Sequence, residues 1–326
     1  VPAANVTRNR PGPVRIAAYA VAGLALLVAL LGLVAHFWTP TQPVTIAISA
    51  LTPYLMLGAP LALLVAALAR HRAGMAVAAV LTLLCVATQV SIYQGGTPAP
   101  PGELVKTMTV NLKRGEADPA AVVRAVRTHR IILLMTQELT DAEQAALVGA
   151  GLQNLLPYHA THPAPGPAGL GIWSKWPLYD MQVYDSFRFP MVTADLGIPG
   201  WQAPAVAIAF HPPGPWPDSS TNWVRDMNRL HQFLPTLPKD QVVIVGGDFN
   251  ATADITQFRR LLTDGYRDAA EQGGAGLAPT YPSDAWYPPL FTIDHIVTRN
   301  AKGRHVYAVQ IRGSDHRALV ATVVLG

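Results

Sequence analysis

The sequence predicts three transmembrane helices followed by an α+β domain of two packed sheets with helices outside. Three observations carry that expectation. The first hundred residues hold long apolar runs and no acid. Residues 103–326 alternate strand-like and helix-like stretches, and several strands read as continuous apolar runs, as expected where both sheet faces are covered. Carboxylates, amides and imidazoles gather at the ends of those strands.

The chain has 326 residues, of which 50% are hydrophobic and 13% charged, too apolar for an ordinary soluble domain. Residues 1–100 contain Arg8, Arg10, Arg15, Arg70 and Arg72, so the net charge of +4 comes from the N-terminal third. The rest is close to neutral and lacks the basic footprint of a nucleic-acid binder. Cys85, the one cysteine, lies inside an apolar run, which excludes an internal disulfide and a cysteine metal site. The chain opens on Val1, as expected of a trimmed chain or of an alternative start codon read literally.

Runs 14–38, 44–69 and 73–93 are each about 20 residues or longer, enough to cross a ~30 Å hydrocarbon core. Two apolar runs after the first argue against a cleaved signal peptide. Arg8, Arg10 and Arg15 place the N-terminus in the cytoplasm, and Arg70 and Arg72 place the second loop there too. The protein is therefore expected in the cell membrane as a multi-pass chain with its C-terminal domain extracytoplasmic. Pro53 and Pro60 interrupt the second run, where they either kink a span or mark a re-entrant segment. A span is preferred, because a re-entrant segment would leave Arg70 and Arg72 outside. Residues 1–94 are then a membrane domain, 95–102 a Pro/Gly linker and 103–326 one large domain.

In that domain the expected strands are 106–111, 131–137, 169–173, 182–184, 192–196, 205–210, 242–245, 292–297, 307–311 and 318–324. Asp118-Pro119 starts a helix as an N-cap acid with Pro at the first helical position. Further helices are expected at 141–150, ending at Gly151, at 221–234, and at 255–262, stopping at Gly265.

Six strand tips are polar: "TMTVNL" ends on Asn111, "LLMTQEL" on Gln137-Glu138, "AIAFHPP" on His211, and "VIVGGDFN" on Asp248 and Asn250. "FTIDHIV" carries Asp294 beside His295, and "GSDHRALV" carries Asp315-His316. Singly, each has an ordinary reading as an Asx turn, a helix entry, a surface pair or a loop residue. Together they are the groups a rigid scaffold presents for chemistry.

In chain order, an Asn after a strand, Q-E, a His, G-D-F-N, I-D-H and S-D-H resemble the endonuclease/exonuclease/phosphatase superfamily over about residues 104–325. That superfamily includes DNase I-like nucleases, abasic-site endonucleases, sphingomyelinases and inositol-polyphosphate phosphatases. The resemblance implies a four-layer α/β/β/α sandwich of the DNase I-like type. "THRIILLMTQE" lacks the acid often found before the Gln-Glu strand, and "GIWSKWPL" stands where Ser-Arg is common. "ATADITQFRRLLTDGYRDA" and "PTYPS…PPLFTIDHIV" resemble bacterial proteins with three N-terminal spans, including glycopeptide-resistance proteins implicated in undecaprenyl-pyrophosphate dephosphorylation.

The chemistry implied is metal-dependent hydrolysis of a phosphate ester or pyrophosphate. It needs an activated water, neutralised phosphoryl oxygens and help for the leaving group. Glu138 is the expected first ligand of Mg²⁺, with Mn²⁺ as the alternative, because hard oxygens suit that ion. Asp315 is the expected second carboxylate, and Asn111 should position metal or phosphate. By the resemblance, Asp248 orients or deprotonates the attacking water, Asn250 donates to a phosphoryl oxygen, and His316 contacts the phosphate, held by Asp294. His211 falls where the family stabilises the transition state or protonates the leaving group. His295 should face away from Asp294 by strand alternation. Gly246 and Gly247 read as backbone clearance beside a phosphate, and Phe249 as a core residue.

The expected substrate is a lipid-linked phosphate or pyrophosphate such as undecaprenyl pyrophosphate. Trp201, Trp216, Trp223, Trp286 and Tyr287 are candidates to meet lipid at the interface. The alternative is a surface-tethered nuclease using Arg259, Arg260, Arg267, Arg304 and Arg317 as a phosphate track. A non-catalytic scaffold is disfavoured by the complete set of acids.

Overall fold

A computed structural model describes residues 12–96, 101–216 and 219–326. Arg8, Arg10 and positions 97–100 of the expected linker lie outside the described residues. The N-terminal part runs α1 (Pro13–Phe37), α2 (Pro43–Ala50), α3 (Thr52–Met56), α4 (Gly58–Leu68), α5 (Arg72–Gln89) and the single turn α6 (Ser91–Gln94). The chain divides into two compact units. One joins the described part of Val1–Trp38 to Leu51–Gln89, and the other joins Thr39–Ala50 to Val90–Gly326.

In the first unit, α1 and α5 are long and apolar enough to cross a membrane. The second apolar run is not one straight helix. Pro43–Ala50 and Thr52–Leu68 are bent by 58° at their break, and a third candidate span exists only if that pair counts as one. Pro53 and Pro60 sit in the first turns of α3 and α4, where a missing N–H costs nothing. The helices pack through small side chains, with Ala25, Ala62 and Ala78 in one cluster and Ala29, Ala59, Met56 and Cys85 in the next.

The second unit continues with β1 (Leu104–Asn111), α7 (Pro119–His129), β2 (Leu133–Gln137), α8 (Asp141–Gly149), β3 (Tyr158–His162), β4 (Leu170–Ser174) and β5 (Leu178–Tyr184). Then follow β6 (Met191–Leu196), β7 (Ala205–Phe210), α9 (Ser220–Phe233), β8 (Val242–Asp248), α10 (Thr256–Leu261) and β9 (Arg267–Asp268). The chain ends with α11 (Ala269–Gly273), β10 (Asp294–Arg299), β11 (Ala301–Gln310) and β12 (Arg317–Leu325). Two six-stranded sheets form, in the orders β11-β12-β1-β2-β4-β3 and β5-β6-β7-β8-β10-β9. Between them lies a core of Val105, Leu133, Met135, Ile172, Ala207, Ile244 and Leu319, among others. The first sheet buries Val110, Leu134 and Trp173 against α7 and α8 residues such as Val122 and Leu147. The second buries Ile208, Val245 and Phe210 with Trp223, Met227 and Phe258 of α9 and α10. These are the four layers the sequence predicts, a DNase I-like sandwich.

Local chemistry accounts for the element starts. Asp118 caps α7 by accepting from Ala120 N–H at 3.0 Å, and Thr140 caps α8 by accepting from Glu143 N–H at 3.1 Å. Sequence periodicity does not predict β3 and β9, which lie at sheet edges. β3 leaves Tyr158 and His159 exposed, and β9 is two residues long.

One expectation changes here. Trp223 is not an interfacial residue: it is fully buried, and its Nε1–H donates to the Phe249 carbonyl at 3.0 Å. The described residues Val90–Gly96 lie beyond the end of α5 and belong to the second unit. Gly276 N–H donates to the Ile92 carbonyl at 2.7 Å and Gly96 N–H to the Gln272 carbonyl at 3.0 Å, which tie them to α11 and its following loop.

Each sheet contains one parallel pair, β1–β2 and β7–β8, and each pair is joined by a helical crossover, α7 or α9. A parallel pair brings two C-terminal strand ends side by side, Asn111 beside Gln137 and Phe210 beside Gly247. Antiparallel β10 starts at the same edge, with Asp294 opposite Asp248, and β12 enters against β1, with Leu319 opposite Thr109. That arrangement collects the polar tips.

Candidate active site

On the side of the first sheet, Asn111 closes β1 and Glu138 follows β2 with φ at 59°, a left-handed conformation uncommon for a side chain of this kind. Asn111 Nδ2 donates to Glu138 Oε1 at 3.1 Å and faces Asp248 Oδ2 at 3.1 Å. Its Oδ1 accepts from Lys113 N–H at 2.8 Å. Ser314 Oγ donates to the Asn111 carbonyl at 2.7 Å and accepts from His316 N–H at 3.0 Å, which pins the loop carrying Asp315 and His316 onto β1.

On the side of the second sheet, Asp248 ends β8 and Asn250 follows with φ at 49°, a conformation Asn tolerates. Asn250 N–H donates to Asp248 Oδ1 at 2.8 Å, and its Nδ2 donates to the Pro212 carbonyl at 3.2 Å. His211 Nδ1 lies 3.1 Å from the Pro167 carbonyl. A carbonyl only accepts, so Nδ1 carries the proton. Nε2 then faces Asp248 Oδ2 at 3.6 Å and Glu138 Oε1 at 4.0 Å. His316 bridges two carboxylates, with Nδ1 2.8 Å from Asp294 Oδ2 and Nε2 3.6 Å from Asp248 Oδ2.

Electrostatics follow from burial. Desolvation disfavours the His316 imidazolium, but Asp294 and Asp248 outweigh it and push its pKa up to about 10. Burial raises the pKa of Asp248, and Asp294 adds to this, while His316 and His211 oppose it. Asp315 is likewise raised by burial, with Glu138 adding to the shift and His316 opposing it.

One cavity of about 400 Å³ is lined by Glu138, His211, Asp248, Asn250, Asp315 and His316. Six of the eight expected residues thus meet there. Asn111 and Asp294, 1% and 0% exposed, stand behind them and orient Glu138, Asp248 and His316. Asn111 turns its Nδ2 toward the Glu138 and Asp248 carboxylates, the geometry of a residue that positions those two groups. His295 faces away as predicted, between Asp268 Oδ2 at 2.8 Å and the Ala251 carbonyl at 2.9 Å.

Asp248, Asp294 and His316 offer ligand atoms within 4.8 Å of one another, a possible acidic/His metal site. Both nitrogens of His316 already face carboxylates, so these three read as an internally paired network. Glu138 and Asp315 are the other carboxylates that could hold a hard divalent cation. Their carboxylates line the same cavity and the charge of one opposes ionisation of the other, a repulsion that a cation relieves.

The two glycines before Asp248 serve packing, in place of the expected clearance for phosphate. A Cβ on Gly246 would run into the Met135 side chain, and one on Gly247 into the Phe210 carbonyl. Phe249 is buried in the helix layer as expected. Four of the five arginines expected as a track are held on backbone carbonyls or side chains: Arg259 on Ala253 and Asp254, Arg260 on Thr39, Arg267 on Leu262 and Tyr266, and Arg317 on Gln310. Residues that strand-tip reading misses also line the cavity. Tyr281 packs on His316 with ring centroids 4.8 Å apart, and Arg114 arrives on a loop of three left-handed residues, Lys113 to Gly115. Neither sits at a strand tip, so spacing alone carried no signal for them.

Residues 108–316 match the Endonuclease/Exonuclease/phosphatase family. No curated protein matches the chain. Among solved structures, a humanised D. rerio TDP2 superposes with a TM-score of 0.57 at 16% identity, covering 68% of this chain and 98% of that one. D. rerio TDP2 complexed with a single-strand DNA product gives 0.55 at 15%, covering 68% and 99%. An endonuclease/exonuclease/phosphatase from Beutenbergia cavernae gives 0.56 at 17%, covering 69% and 72%. With the polar strand tips converging as described, the match over residues 108–316 establishes that this chain belongs to the endonuclease/exonuclease/phosphatase family.

Proposed function

We propose that the protein is a membrane-anchored, Mg²⁺-dependent phosphohydrolase acting on a lipid-linked phosphate or pyrophosphate, with its active site outside the cytoplasm. The observation that carries the chemistry is the convergence of Glu138, Asp315, Asp248, Asn250, His211 and His316 on one cavity. The helices α1 and α5 in the same chain favour a substrate held in a bilayer. Trp216 and Trp286, 78% and 96% exposed, are accessible to lipid, and Trp216 lines the cavity. Arg114 is the cavity's only arginine among the described residues, which disfavours a nucleic-acid track.

When bound at Glu138 and Asp315, a divalent cation supplies charge for the phosphoryl oxygens. Asp248 accepts a proton from the attacking water. Its burial raises its basicity, and the backbone N–H of Asn250 fixes its orientation. His316 is held as an imidazolium by Asp294 and faces the phosphoryl group with positive charge. Asn250 Nδ2 lies 3.5 Å from His211 Nε2 and is positioned to turn toward a phosphoryl oxygen. His211, anchored through Nδ1 on the Pro167 carbonyl, turns Nε2 into the cavity beside Asp248 and Glu138, where it serves the leaving oxygen.

The test is phosphate release by the full chain in detergent with Mg²⁺. Undecaprenyl pyrophosphate, phospholipids, inositol phosphates and plasmid DNA are compared. Release from the prenyl pyrophosphate ahead of the soluble substrates is expected. Plasmid nicking at low enzyme with no phosphate release would establish the nuclease instead.

A further inference from the structure

Part of the active-site wall comes from a segment whose sequence belongs to the membrane part. Pro43, Ile46, Ala47 and Ala50 of α2 line the cavity that holds the catalytic carboxylates. Their spacing puts them on one helical face. The polar α2 groups Thr45 and Ser49 do not line the cavity, and Thr45 Oγ1 donates to the Gln42 carbonyl at 2.9 Å. The helix is fastened to the catalytic unit. Ile46 is 3% exposed within the helix layer of the second sheet, Gln257 Nε2 donates to the Pro40 carbonyl, and Arg260 Nη2 donates to Thr39 Oγ1 at 3.3 Å.

A face of Pro, Ile and Ala offers no hydrogen bond and no aromatic ring. It cannot recognise a sugar, an inositol ring or a nucleobase, and it can only cover hydrocarbon. Two of its four residues are alanines, which leave width in the cavity. Beside it stand groups that act on phosphate. A ligand that satisfies both walls has its hydrocarbon attached directly to the phosphoryl group.

We infer that α2 is a hydrocarbon subsite, with Ala47 and Ala50 as specificity-determining residues that receive the first carbons of an alkyl or prenyl chain next to the scissile phosphate. This rests on the reading of the chain as a phosphohydrolase. It departs from the expectation that 44–69 is simply a span: its first two turns bind substrate.

The experiment uses the full chain in nanodiscs with monoalkyl phosphates from methyl to decyl. Each buried methylene contributes about 0.8 kcal/mol, a factor of about four. In the wild type, kcat/KM should rise about fourfold per carbon over the first few carbons, then level off. Ala47→Trp should flatten that rise, and Ala50→Leu should shorten it. Partitioning into the bilayer is the same for all three proteins, so their ratio isolates the subsite. A flat series in an active wild type, or an equal loss on all chain lengths in both variants, overturns the inference and leaves the phosphohydrolase reading standing. A decyl phosphate with a diazirine on its first carbons provides a readout that needs no turnover. Labelling of 43–50, competed by decyl phosphate and not by inorganic phosphate, supports the subsite even if no ester is hydrolysed, in which case the functional reading fails alone. Labelling confined to other segments overturns it.

Discussion

The two sheets are built alike and end in carboxylates buried to different depths. Each has six strands around one parallel pair, and each pair ends in a residue held left-handed, Glu138 after β2 and Asn250 after β8. The β2 end presents its carboxylate at the cavity wall, where the Glu138 side chain is 15% exposed. The β8 end keeps Asp248 at 2% exposure, between two imidazoles and facing the Asn111 amide. An accessible carboxylate suits a hard cation that keeps its waters. A buried one bounded by imidazoles suits proton transfer, because burial raises its basicity. Under the proposed function, the same supersecondary unit therefore supplies an electrostatic half and a proton-handling half. What separates them is burial of the strand tip.

The comparison is broken hardest at Asp248. Asp248→Asn should lower kcat about 10³-fold or more, with unchanged circular dichroism and no rescue by added Mg²⁺ or Mn²⁺. Recovery with metal would move Asp248 to the other half. Next is the packing that sets the depth of the β8 end. Gly247→Ala should cost about 3 kcal/mol, because its Cβ meets the Phe210 backbone, and Gly246→Ala should cost about 1 kcal/mol, because the Met135 side chain can give way. Urea unfolding of the two variants checks that order.

Glu138→Gln probes the opposite half. The metal concentration for half-maximal rate should rise about 10- to 100-fold, and saturating metal should restore part of the rate. A metal titration of activity separates this outcome from the Asp248 one.

The smallest effect contrasts the two helix layers. Asp226 on α9 is buried but partnered, accepting from Arg188 N–H at 2.7 Å and Arg225 Nε at 3.3 Å. Glu143 on α8 is buried with Oε1 unpaired among the described residues, and burial, with Asp118 adding to it, pushes its pKa up to about 7. The folded state therefore binds that proton more tightly than the unfolded chain. The associated stability is fully present below 4.5, the ordinary value for the group, and is lost as pH rises through 7. Glu143→Gln should raise the melting temperature at pH 8 and change it little at pH 4.5, whereas Asp226→Ala should lower it at both. Parallel pH profiles for wild type and Glu143→Gln would remove Glu143 as the cause.

The strongly periodic and capped elements, α7 with Asp118-Pro119 and β8 with Val242–Val245, were legible because local chemistry alone specifies them. So were the polar groups that meet in the cavity, since a polar residue closing an apolar strand conflicts with its neighbours unless it has a use. β3, β9 and α11 were not, because edge strands and one-turn helices owe their form to neighbours far along the chain.

By itself the sequence determined the helices apolar enough to cross a membrane, the sandwich and the family, because each depends on composition, periodicity or short motifs. The tertiary structure decided which faces those residues met. It gave Gly246 and Gly247 to packing, put Trp223 in the core, turned the Asn111 amide toward two carboxylates, and laid α2 along the active site. Hydrophobicity says that a segment leaves water without saying what covers it. Only packing distinguishes the bilayer from a cavity wall.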